Sequence, residues 1–309
     1  MTLKIVALSS LLLTLSACGG GSSSSKSDDN KLVFNEDLRA AAKAAPPLTA
    51  DQKMQIAAWM KVDKALVPKV ELYFDKYATD RERNQDLAPL NDQGKQLLAR
   101  AKADCEIIPE KKTKTGSLEV GKTETTQKTR FVTGNKCPIY YSNSETVAAT
   151  LTQLTKIEPD NYLISSTTKK TKETSEKILD PQLRKKLVIL DKTTRLEGTS
   201  TMENAIVDKK GNLTSGRVHI SDKLTSTALA EDGTKVVSTA ITEVIAVPNE
   251  SRSQMLMETK FPKNITLVFG YFTVNNQVEI FVNGQSYTEK QFMEEFSGLT
   301  EPNSGSQED

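Results

Sequence analysis

One histidine, one tryptophan and three cysteines in 309 residues leave little room for metal or nucleophile chemistry. Two internal cysteines and one distant histidine do not supply the four ligands of a structural zinc site. A serine-histidine-aspartate triad would have to use His219. That residue lies between Val218 and Ile220 on an alternating stretch, with no nucleophile elbow beside it. It reads as a surface or edge histidine. Adjacent acids such as Glu36-Asp37 and Glu294-Glu295 fall on helical stretches, where neighbours in sequence diverge and form no dyad. There is no phosphate-binding glycine loop and no repeat of fixed period. A strong charge of one sign is missing too: 41 basic against 40 acidic residues give a net charge of +1. A nucleic-acid binder normally carries a basic excess. The reading is therefore a non-enzymatic protein with no cofactor, no metal and no nucleic-acid partner.

What the chain does have begins at its N-terminus. Lys4 is followed by the apolar runs Ile5-Val6-Ala7-Leu8 and Leu11-Leu12-Leu13-Thr14-Leu15. A basic start, a short apolar run and small residues at its end make an export signal; a membrane-spanning helix needs about 20 apolar residues. The signal covers residues 1–17 and ends in Leu15-Ser16-Ala17-Cys18. This resembles the lipobox of bacterial lipoproteins. The resemblance implies that the Cys18 thiol receives diacylglycerol, that cleavage precedes it, and that the new amino terminus is acylated. Gly19 stands where an aspartate would favour inner-membrane retention, so the resemblance implies anchoring to the outer membrane. Two or three acyl chains anchor stably where one is marginal.

Residues 18–30 form the anchor and its tether. Gly19-Gly20-Gly21 and Ser22-Ser23-Ser24-Ser25 are flexible coil, with a reach of at most about 40 Å. Ser23-Ser24-Ser25-Lys26, Ser27-Asp28-Asp29-Asn30 and Lys114-Thr115-Gly116 mimic elements of penicillin-recognising serine enzymes. The first two sit in this tether, which cannot hold a base in position, so they carry no catalytic assignment.

Residues 31–104 read as helical. Asn35 caps a first helix that stops at Pro46-Pro47. Thr49 and Gln52 form a capping box ahead of a stripe through Ile56, Met60, Val67, Val70, Phe74 and Tyr77, kinked at Pro68. A third helix follows Pro89 and buries Leu97, Leu98 and Ala101. Residues 105–298 turn to β-branched alternation. Gly116–Phe131 reads as an exposed hairpin turning at Val120-Gly121-Lys122. Cys137–Thr146 and Tyr162–Lys177 read as strands, with the polar Ser165–Lys172 tract placed at an edge. Asp180-Pro181 opens a short helix. From Leu187 to Val282 the strands are clearest: Met255 and Met257 share a face, and Ile265–Val274 is apolar on both faces. Thr288 and Gln291 cap a last helix with Phe292 and Phe296 inward. Residues 299–309 form a polar, disordered tail.

An export signal implies a compartment where disulfides persist, so Cys105 and Cys137 are expected to bond; two buried free thiols are the alternative. The fold class is α+β: N-terminal helices packed on a long antiparallel sheet, curved in the finer version of this reading. This order loosely resembles the half-barrel of periplasmic lipoprotein and lipid carriers. Met255, Met257, Leu267, Phe269 and Tyr271, with Trp59 and Met60 opposite, then become candidate lining for a hydrophobic or lipid ligand. The competing reading makes them plain core. In that case the chain is a structural or interaction lipoprotein whose threonine-rich strands contact envelope protein or polysaccharide.

Overall fold

The computed structural model describes residues 36–63, 92–157, 161–180, 182, 189–208, 212–230, 232–248, 250–274 and 277–296. It is mostly one antiparallel sheet of eleven strands in sequential order, β1 to β11, and the sheet is not closed. The strands are β1 (Glu106–Gly116), β2 (Thr123–Thr133), β3 (Ile139–Ile157), β4 (Asn161–Ile178), β5 (Ile189–Val207), β6 (Leu213–Ala230), β7 (Lys235–Val247), β8 (Glu250–Phe261), β9 (Ile265–Val274), β10 (Gln277–Val282) and β11 (Gln285–Tyr287). Among the described residues four helices, α1 (Glu36–Ala44), α2 (Ala50–Asp63), α3 (Asp92–Asp104) and α4 (Glu289–Phe296), accompany it. The expected α+β balance is thereby corrected: the helices are few and short, and sheet dominates. The cause is strand length. β3 to β6 run 18 or 19 residues each, or about 60 Å, well beyond the reach of helices of 8 to 14 residues.

Local signals explain the helix ends. The Thr49 Oγ1 accepts from the Gln52 N–H at 3.2 Å while the Gln52 Oε1 accepts from the Thr49 N–H at 2.9 Å. Thr288 and Gln291 repeat this reciprocal pair at the start of α4. Asn35, Val67, Pro68, Val70, Phe74 and Tyr77 lie outside the described residues, as does all of the helix expected after Asp180 except Gln182. The Asp180 carboxylate does accept from the Gln182 N–H at 2.8 Å.

Cross-strand partners share a face, so the registers divide the sheet into two. The front face carries α2, α3 and α4. Leu97 and Ala101 of α3 pack on Val132, Ile139 and Tyr141. Ile56 of α2 packs with Val236, Phe261 and Ile265. Phe292 of α4 meets Phe269, ring centroids 5.3 Å apart. Among the described residues the back face carries only α1, whose Leu38 and Ala42 pack on Phe272 and Phe281. Gly270 makes this seat: a Cβ there would stand 2.6 Å from the Ala42 Cβ. Arg39 fixes α1 further through two hydrogen bonds of 2.8 Å to Glu279. β9 is therefore covered on both faces, which accounts for its unbroken apolar sequence.

The chain passes from back to front over residues 45–49, beside the β10–β11 turn. Asn283 grips that crossing. It is 3% exposed and has a φ of 46°. Its Nδ2 donates to the Pro46 and Thr266 carbonyls at 3.0 and 2.9 Å, and its Oδ1 accepts from the Val268 N–H at 3.0 Å.

Three strand assignments change. The polar Ser165–Lys172 tract lies inside the sheet, with β4 paired to β3 and β5 along its length. Its polarity goes with two faces that no described helix covers, not with an unpaired side. The first hairpin starts at Glu106, ten residues before the expected Gly116, and turns through Gly121 at a φ of 81°. β11 is an additional three-residue strand beyond Asn283-Gly284. Pro109 and three lysines mark β1, the kind of residue that blunts an edge.

Candidate functional site

Cys18 lies outside the described residues. Trp59 and Met60 fall within α2, but their side chains are outside the described part of the structure. The other five candidate residues come together on the front face. Met255 and Phe269 are buried at 2% and 5% exposure, in one cluster with Ile280, Val282 and Tyr287. Met257, Leu267, Tyr271 and Phe292 pack against that cluster and stay half-buried. The β7–β10 registers explain the convergence: Met255 pairs with Tyr271 and Met257 with Phe269, and Tyr271 pairs with Ile280. Burial holds the Tyr271 phenol above its usual range. Glu289 adds to this, and a hydrogen bond with Thr273 opposes it. The result is an apolar patch with two phenols, Tyr271 and Tyr287, the latter donating to the Gln285 Oε1 at 3.1 Å, beside the eight-residue α4.

The sequence marks the lysine-threonine tract at 168–172 as a solvated strand face or a contact for anionic lipid or polysaccharide, but it does not join that tract to Glu145 and Asp222 on the polar half of the same face. On β3 to β6 that half carries Glu145, Lys170, Lys172 and Asp222. Lys170 Nζ meets Glu145 Oε1 at 2.8 Å. That hydrogen bond, against the opposing effect of burial, holds the Glu145 carboxyl below its usual range, with Lys170, Lys128 and Lys172 adding attraction. Two strands from Lys170 on the same register row, Asp222 lies over Gly198. A Cβ at residue 198 would meet the Asp222 Oδ1, so any larger residue there would push the carboxylate aside. Burial raises the Asp222 carboxyl above its usual range and Lys170 opposes the rise. The sequence signal was present as Asp222 breaking the apolar series Val218, Ile220, Leu224. The partner across the strands could be named only once the register was known.

The back face of β1 to β6 is different again. Thr123, Thr150, Thr167 and Thr201 form one row across four strands, and the first two share a hydroxyl hydrogen bond of 2.8 Å. His219 continues the row. It stands on an interior strand, not at an edge.

Cys105 and Cys137 are bonded, with Cα atoms 4.6 Å apart across a sequence separation of 32. The bond ties the end of α3 to the start of β3 and is worth about 3–4 kcal/mol in the chain-entropy picture. Arg100 of α3 pairs with the buried Asp180 beyond β4, so the helix is held at two points. Among the described residues, no group of three or more histidine, cysteine, aspartate or glutamate side chains could hold a metal ion. Among the same residues, no helix is long and apolar enough to cross a membrane.

Compared with models of protein families, with curated proteins and with solved structures, the chain gives no match.

Proposed function

We propose that the chain is an outer-membrane-anchored lipoprotein acting as a non-enzymatic binding module for a hydrophobic or lipid ligand. Cys18 carries the lipid, and residues 19–30 are the tether. The sheet curves around the ligand in the manner of a half-barrel, with the front-face helices as its cover. The observation that supports this most is the incomplete burial of Met257, Leu267 and Tyr271, beside which the described cover is the eight-residue α4 and, at Leu267, Ile56 of α2. A large apolar patch with a light cover is where a soluble protein takes an apolar ligand.

The test is to purify the full-length protein under native conditions, extract it with organic solvent and identify released lipid by mass spectrometry. Stoichiometric lipid is the expected result; an empty protein sinks the ligand reading. Anchoring is tested apart from this: Cys18→Ser should abolish metabolic palmitate labelling, and unchanged labelling would end that part of the proposal.

A second reading, an interaction lipoprotein contacting envelope protein or polysaccharide, draws on the back face. Its threonine row presents hydroxyls that both donate and accept, and no described helix covers it. An empty protein that cosediments with purified cell-wall glycan would favour this reading.

A further inference from the structure

The registers align one front-face residue from each of β1 to β10 along a single row, which the polar Gln285 of β11 ends, and that row is segregated by chemistry. Its first part is charged: Lys112, Lys128, Glu145 and Lys172 on β1 to β4. Its second part is apolar: Leu196, Leu224, Ala240, Met257, Phe269 and Val282 on β5 to β10. The change comes in one step, from Lys172 to its partner Leu196. Leu196 and Leu224 stay half-buried and belong to none of the apolar clusters described above.

The charged part is cationic in effect. Glu145 is already neutralised from the neighbouring row by Lys170. Lys128 stands 4.0 Å from Glu110, a loose contact, and Lys112 and Lys172 carry no ion pair among the described residues. From Lys172 to Met257 is four strand steps, about 19 Å at the usual strand spacing. One leaflet of bilayer hydrocarbon is about 15 Å thick, so a membrane acyl chain matches the apolar part in length.

Resting on the proposed apolar ligand, we infer that this ligand is an anionic membrane phospholipid. Its acidic headgroup lies at Lys112, Lys128 and Lys172, and an acyl chain lies across Leu196 and Leu224 towards Met257. Charge complementarity selects the head, and the apolar row fits the chain.

The experiment uses the full chain and vesicles carrying pyrene-labelled phosphatidylglycerol or, as the net-neutral control, phosphatidylcholine with the same acyl chains. Vesicles are then removed and protein-bound pyrene is counted. Phosphatidylglycerol is expected to be retained roughly tenfold better, a margin that one or two half-buried charge pairs supply. That margin should vanish in the Lys112→Gln, Lys128→Gln, Lys172→Gln triple variant while phosphatidylcholine retention holds. Leu224→Asp should reduce retention of both lipids. Equal retention of the two lipids, or an unchanged margin in the triple variant, overturns the headgroup assignment and leaves an apolar ligand standing. Retention of neither lipid overturns both readings. Association with intact anionic vesicles without lipid transfer overturns this inference in favour of simple surface attraction.

Discussion

The two halves of the sheet are built on different terms. β7 to β11 are short strands with helices on both faces, and most of the large buried side chains belong to them. β1 to β6, of which β3 to β6 are the longest strands, are rich in threonine and lysine, and among the described helices only α3 lies against them, at one end. The first half is held by burial, at roughly 25 cal/mol per Å² of apolar surface. The second is held by its ladder of backbone bonds and by cross-strand pairs worth about 0.2–1 kcal/mol each. A single antiparallel sheet can thus change its source of stability along its width without a break in pairing.

The strongest way to break the comparison is Phe272→Ala. Phe272 is 1% exposed under α1, and its loss should cost about 3–5 kcal/mol in urea unfolding. Asn283→Ala comes next. Removing its side chain strands the Pro46 and Thr266 carbonyls and the Val268 N–H, for about 2–3 kcal/mol. Its signature should be faster hydrogen exchange at the β9–β10 end. The third test is pH-dependent and sits in the long-stranded half. Burial raises the Asp222 carboxyl above 3.8 in the folded chain. Folding therefore favours its protonated form, and its contribution worsens as pH rises from 3.8 through the folded value. Asp222→Asn should raise Tm at pH 7 by about 1–3 °C, and the gain should fade below pH 3.8. Glu145→Gln should do the reverse. That carboxyl is held below 4.5, so its contribution is present above 4.5 and lost as pH falls through the folded value. The smallest effect sharpens the contrast: Thr171→Val, on the back face of β4, should change stability by less than about 0.5 kcal/mol. A large loss at Thr171 would mean that something else packs on that face.

Much of the covered half was legible in the sequence. The double-sided apolar run of β9, the shared face of Met255 and Met257, and both capping boxes are local patterns that the structure keeps. The long-stranded half was less legible because its signals are relational. A polar, half-buried interior strand has the same composition as an edge strand, so the composition of Ser165–Lys172 does not separate the two. β1 was missed because Pro109 and a bulge beside it interrupt its alternation. The charged half of the front face needed the register: nothing in the linear order brings Lys128, Glu145 and Lys172 together.

The Arg39–Glu279 contact spans 240 positions in sequence, whereas every strand pairs only with its immediate neighbours. A chain emerging from the ribosome or a secretion pore can therefore zip its hairpins one after another, each closing a short loop at little entropic cost. α1 must wait. It is made before any strand, yet its seat is built by β8 to β10, near the other end. Seating α1 thus reports that the chain is complete: a product truncated before Glu250 would carry all of the long polar strands and still present Leu38 and Ala42 to whatever inspects unfinished proteins.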